Sequence, residues 1–179
     1  MGDITKKYRC CDHYEAILKI EDRVFCFPQA EALLVLRSAV LEHMYKYTQS
    51  QPSDNEAGGQ LFSRNISENV IVVEEITGPY KKDDQSRTHW KPNKKQLIAD
   101  RESMFSKGLH VVGLWHTHPE PIPHPSFIDR DTCEAHLRLL DSAYTGFLML
   151  TLGNVGAPPN LSVYLSMRNE HSWKELIER

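Results

Sequence analysis

Two hydrophobic periods run along this chain, one near two residues and one near three and a half. "VFCFP", Val24 to Pro28, has the short apolar form of a strand stopped by proline. From Ala30 to Tyr47, Leu33, Leu36, Val40, Met44 and Tyr47 recur at helical spacing and predict one helix. "TQSQPSDNE" reads as a loop. "AGGQLF" and "NVIVVEEI" read as strands, and the turn residues around Arg64–Asn69 predict that they pair as a hairpin. "GPYKKDDQSRTHWKP", Gly78 to Pro92, shows no periodicity and is expected to be a surface loop of the kind that often carries function. Lys94 to Lys107 predicts a helix, with Leu97, Arg101, Met104 and Phe105 on or near one face and Gly108 as its stop. "LHVVGLWHTH" predicts a strand. A proline-rich turn follows, then a helix from Phe127 to Leu140. "GFLMLTLG" and "LSVYLSM" are two further strands about a turn at Gly153–Asn160, and the tail from Glu170 is expected to form a short helix.

Strands and helices are mixed without one helix per strand, which favours an α+β layered fold over a doubly wound parallel sheet. The pattern shows no repeat or boundary, so residues 1–179 are expected to form one domain, with a polar N-terminal extension over 1–23 and the surface loop at 78–92. A length of 179 residues suffices for one sizeable core. A net charge of −3 gives no reason to expect nucleic acid or an acidic membrane as partner. The segment "MGDITKKYRCCDHYEAI" lacks the apolar core of a signal peptide, and Lys6 breaks the myristoylation pattern. Cys10, Cys11, Cys26 and Cys133, without an export signal, point to free thiols in a reducing cytoplasm.

The candidate chemistry lies in "GLWHTHPEPIPHPSFIDRD", Gly113 to Asp131. His116 and His118 end an apolar strand, where residues two apart share a face, so both imidazoles project together. A third metal ligand must come from another element, and Asp129, in the first turn of the next helix, is the candidate. Two neutral ligands and one anionic ligand leave a tetrahedral position open, as in catalytic rather than structural zinc. Water in that position still needs a base, a carboxylate that is not itself a ligand. Ser126-Phe-Ile-Asp129 also has the form of a helix capping box.

His116-x-His118-x7-Ser126-x2-Asp129 matches, without a gap, the signature of the JAMM (MPN-plus) zinc metallopeptidases, and the chain resembles that family over roughly Val24 to Met167. The family also carries a glutamate on an upstream strand beginning like E-x-G-G-x-L, and this chain has "EAGGQLF" at Glu56. The resemblance implies a curved mixed sheet flanked by helices (the JAMM/MPN, cytidine-deaminase-like fold), one Zn2+, and hydrolysis of an amide or isopeptide bond. It implies His116, His118 and Asp129 as metal ligands, Glu56 as general base, and Ser126 as donor to the oxyanion. The phrasing "WHTHPEPIPHPS" looks closest to prokaryotic JAB peptidases that deconjugate ubiquitin-like proteins in CBASS-type and related antiviral operons. The implied partners are a ubiquitin-like protein and its conjugates. Small relatives that release a sulfur-carrier protein from an amino-acid adduct, and ligand-free MPN scaffolds, are the alternatives.

The remaining candidates carry less. Gly58 and Gly59 admit either a close backbone approach or a simple bulge. Trp115 is expected in the core. His124 is not expected to be a fourth ligand. Cys133 and His136 share a helix face, where packing is favoured over a second metal. His13, His43, His89, His110 and His171 belong to no constellation. Lys81–Asp84 and Lys94–Lys95 are expected to be solvated.

Overall fold

Two β-sheets and three helices account for most of the structure, a computed structural model that describes residues 20–28, 31–66, 68–168, 170 and 173–179. The chain runs β1 (Arg23–Cys26), β2 (Leu33–Leu36), α1 (Ser38–Tyr45), β3 (Gly58–Ser63), β4 (Val70–Val73), β5 (Glu75–Ile76), β6 (Asp84–Ser86) and β7 (His89–Lys91). It continues with α2 (Lys94–Phe105), β8 (His110–Thr117), α3 (Phe127–Leu139), β9 (Gly146–Gly156), β10 (Pro159–Met167), β11 (Trp173–Glu175) and β12 (Ile177–Glu178).

The larger sheet has the order β11-β10-β9-β8-β3-β5, and its β8–β9 pair is parallel. Alternation along its strands gives it two apolar faces. Leu61, Leu148, Leu150, Leu152 and Val163 pack with α1 and with a four-stranded sheet of order β12-β1-β2-β4. Phe62, Leu114, Phe147 and Met149 pack with Cys133 and Leu137 of α3, with Met104 of α2 against them. The fold is therefore the mixed, helix-flanked α+β arrangement that the pattern predicts. Among the described residues, no helix is long and apolar enough to cross a membrane.

Four elements differ from expectation. The helix expected over Ala30–Tyr47 begins only at Ser38, because Leu33–Leu36 is a strand. Four consecutive apolar residues suit a strand enclosed on both sides better than a helix with one wet face. β2 is such a strand, antiparallel to β1 and parallel to β4. The predicted hairpin does not form, since β4 leaves for the smaller sheet and only Glu75–Ile76 returns to pair with β3. Residues 78–92, expected as a loop, contain the two-stranded β6–β7 hairpin. The tail forms strands rather than a helix, because β10 and β1 each offer an unpaired edge that β11 and β12 fill.

The other elements fall where expected within a residue or a few. Gly108 takes φ +74 at the end of α2, a conformation that suits glycine at a helix stop. Leu97 on α2 is buried while Phe105 stays exposed, so the expected apolar face narrows at its end. Cys10, Cys11, His13 and His171 lie outside the described residues.

Candidate metal centre

β8 delivers the two histidines. Leu114, His116 and His118 fall on the face covered by α2 and α3, and Trp115 falls on the other, with α1, fully buried, its Nε1–H donated to Thr77 O at 3.0 Å. The strand hydrogen bonding continues past Thr117, with His118 N donating to Leu152 O at 2.8 Å, so both imidazoles stay in register. The proline turn then leads to Ser126, the N-cap of α3. Its Oγ accepts from Asp129 N at 3.3 Å, and Asp129 Oδ2 accepts from Ser126 N at 2.6 Å. That reciprocal capping box fixes the Asp129 carboxylate and aims it back at β8.

Among the described residues, His116, His118 and Asp129 are the group able to hold a metal ion, their ligand atoms all within 4.8 Å of one another. His116 Nε2 stands 2.9 Å from His118 Nε2, and Asp129 Oδ2 stands 3.5 and 3.8 Å from these two nitrogens. Zinc bound tetrahedrally by nitrogen and oxygen at about 2.0–2.2 Å would separate its ligands by about 3.3–3.6 Å, and the observed spacings bracket that value. Two Nε2 atoms that face each other cannot both carry a proton, so at least one lone pair points into the gap between them. The donor set fits a zinc ion.

Glu56 lies just before β3, its Oε1 3.9 Å from His118 Nε2, and it does not belong to the ligand triad. Three bonds hold the backbone of Glu56 and its neighbour Ala57 there. Glu56 N donates to Ser86 O at 2.7 Å, Ala57 N donates to Thr117 Oγ1 at 3.0 Å, and Thr117 N donates to Ala57 O at 2.8 Å. Glu56 is only 6% exposed, and burial pushes its carboxyl up to about 7, with the charges of Asp129 and Glu120 adding and that of His116 opposing. Burial, with His116 beside it, lowers His118 despite Asp129 and Glu120, which keeps its imidazole neutral and fit to ligate. Burial also pushes Asp129 up, but interactions with His116 and Ser126 outweigh it and hold the carboxyl well below the usual range.

Residues 37–172 match the family described as prokaryotic homologs of the JAB domain. The chain belongs to that family. Two curated relatives of this JAB-domain protein, both called CD-NTase/cGAS isopeptidase, are 31% identical over 99 residues (Escherichia coli strain TW11681) and 34% identical over 101 residues (Pseudomonas aeruginosa strain BWHPSA011 / Pa011). These matches cover 54% and 55% of this chain, and the chain spans 63% of the length of each relative. At the level of fold, a solution structure of a protein from Desulfitobacterium hafniense aligns with TM-score 0.55 and 21% identity, over 80% of this chain and 88% of that one.

The structure brings together all five singled-out residues: Glu56, His116, His118, Ser126 and Asp129. His124 turns away, its Nδ1 3.1 Å from Tyr164 Oη. Cys133 is buried, and His136 Nδ1 receives an Arg101 N–H at 2.9 Å, so that pair packs rather than ligates. His43 Nε2 is 2.6 Å from Gly78 O, and its ring meets Trp115 edge-on.

Sequence reading passed over Thr117, Asp83 and Trp90. Thr117 showed only as the residue between two histidines, yet its hydroxyl anchors the strand beside Glu56. Asp83 sat in a charge run, yet it accepts from Tyr80 N, Asn93 N and Trp90 Nε1. Trp90 did carry a signal, as the one large aromatic ring near the end of a polar stretch.

Proposed function

We propose that this JAB-domain protein is a zinc-dependent isopeptidase. It hydrolyses the amide bond after the C-terminus of a ubiquitin-like protein, freeing that protein from a target or from its precursor within a bacterial antiviral conjugation system. The observation that carries this reading is the convergence of His116, His118 and Asp129 with the buried, non-ligating Glu56 beside them. The name shared by the two relatives supports an isopeptide conjugate of a CD-NTase as the substrate.

His116 Nε2, His118 Nε2 and Asp129 Oδ2 would hold the ion. Zinc held there would supply Lewis acidity, which makes water a nucleophile at neutral pH. Glu56 takes the proton of the attacking water and returns it to the leaving amine, a task suited to a buried carboxylate that is not itself a ligand. Ser126 Oγ accepts from Asp129 N, which leaves its own O–H free to donate to the developing oxyanion. On this reading the β6–β7 hairpin and the Pro119–Pro125 turn would flank the extended C-terminal tail, which binds by strand addition.

The test is to incubate the zinc-loaded protein with such a conjugate, with and without a chelator, and to weigh the products. The expected result is a ubiquitin-like protein ending at its own C-terminus plus unmodified target, abolished by chelation. An intact conjugate in both samples overturns the reading, and cleavage indifferent to chelation removes the metal from it.

A further inference from the structure

We propose that Trp90 is a positioning residue that fixes the ring plane of His116, and that the β6–β7 hairpin delivers it. The inference rests on the reading of His116 as a metal ligand. A ligating histidine usually donates its second ring N–H to a carboxylate or carbonyl, and that bond sets the ring orientation. His116 Nδ1 is buried and has no hydrogen-bond partner among the described residues. What lies against the ring is the Trp90 indole, stacked at 9° with centroids 6.4 Å apart, within the range of offset aromatic stacking.

The indole is itself held in place. Its Nε1–H donates to Asp83 Oδ2 at 3.2 Å, and the same carboxylate accepts from Tyr80 N at 2.9 Å and Asn93 N at 2.8 Å. Asp83 thus ties both stems of the hairpin to the ring. Room for the ring comes from Gly58, the residue directly across the ladder from His116. A Cβ at Gly58 would lie 2.7 and 2.8 Å from two indole carbons. The bare position on β3 and the aromatic ring on β7 are therefore complementary. The hairpin also meets Glu56, through the Ser86 carbonyl, so one element touches both a candidate ligand and the candidate base.

Without the indole, His116 must be ordered by the metal itself, and affinity falls. The test titrates metal-free wild type, Trp90→Ala and Trp90→Phe with Zn2+ against a chromophoric chelator. Trp90→Ala is expected to bind about ten- to a hundred-fold more weakly, the scale of a lost orienting partner, while Trp90→Phe restores most of the affinity. Equal affinity in wild type and Trp90→Ala overturns the proposal. Should the alanine variant unfold, Trp90→Leu, which keeps apolar bulk without an aromatic face, decides in its place. A second readout uses Co2+, which quenches nearby indoles. Part of the wild-type quenching should vanish in Trp90→Phe, which retains Trp115 and Trp173, and unchanged quenching overturns the proposal. Wild type that binds no Zn2+ at all sinks the reading beneath it as well, so the two failures are distinct.

Discussion

Asp129 Oδ2 accepts the backbone N–H of Ser126 at 2.6 Å and stands 3.5 Å from His116 Nε2. One oxygen therefore both caps a helix and faces the ligand cluster. The capping and metal-binding readings of Ser126–Asp129 are one structure: the first turn of α3 preorganises the carboxylate, so little ordering remains when an ion arrives.

Ser126→Ala removes the hydroxyl but leaves the Ser126 N–H that orients Asp129. Unfolding in urea should show a loss of about 1 kcal/mol for the missing cap. Initial rates on a conjugate should fall about a hundred-fold or more for the missing oxyanion donor, with zinc content unchanged. Unaltered rates would leave Ser126 as a cap alone.

Glu56→Gln keeps shape and burial but cannot carry the proton. Zinc content by elemental analysis should match wild type, while turnover drops by about 10²- to 10⁴-fold. A loss of zinc in this variant would make Glu56 a ligand rather than a base.

Gly59→Ala should destabilise more than Gly58→Ala. The new Cβ at Gly59 would lie 1.7 Å from the Thr77 carbonyl oxygen, which is backbone. At Gly58 the nearest backbone atom, Trp115 O, would lie farther off at 2.6 Å, and the other near contacts are with the Trp90 side chain. Urea unfolding should report a loss of about 3 kcal/mol or more for Gly59→Ala, at or beyond the upper end of overpacking costs. The reverse order would mean that β3 and the segment at Thr77 are not in such close contact.

His136 makes stability depend on pH. Burial, aided by the charge of Arg101, holds its imidazole down at about 4, against about 6.5 in an unfolded chain. The unfolded state therefore takes up the proton first. The stability due to neutral His136 is complete above about pH 6.5, is lost as pH falls from there to about 4, and falls no further below that. Over this window the group should cost wild type on the order of 1–3 kcal/mol. His136→Gln keeps an acceptor for Arg101 without titrating, so its unfolding free energy should fall less between pH 7 and pH 4.5. Parallel curves for the two proteins would count against a buried neutral His136.

Two parts of the candidate centre, the histidine pair and the Ser126–Asp129 cap, were legible because each is local, whereas Glu56 was singled out only through the family resemblance. Two histidines two residues apart on a strand must share a face, and Ser126 three residues before Asp129 caps a helix whatever surrounds it. The same locality gave α2, with Gly108 as its stop. What stayed hidden depends on partners distant in sequence. Leu33–Leu36 fits either period, and only enclosure between β1 and β4 makes it a strand. Val70–Val73 and Glu75–Ile76 read as one strand because nothing nearby says that they serve different sheets. The β6–β7 hairpin lacks apolar alternation because its order comes from Asp83 and from bonds to the segment around Glu56.

Strands β11 and β12 are separated by Leu176 alone, and each closes the edge of a different sheet. The last seven residues therefore act as a clasp across two sheets. Trimming them would bare β10 and β1 together, and exposed strand edges recruit one another. A protein clipped there by a contaminating protease should drift toward self-association with its ligand cluster still assembled, and a sample that precipitates on storage should be checked first for loss of that segment.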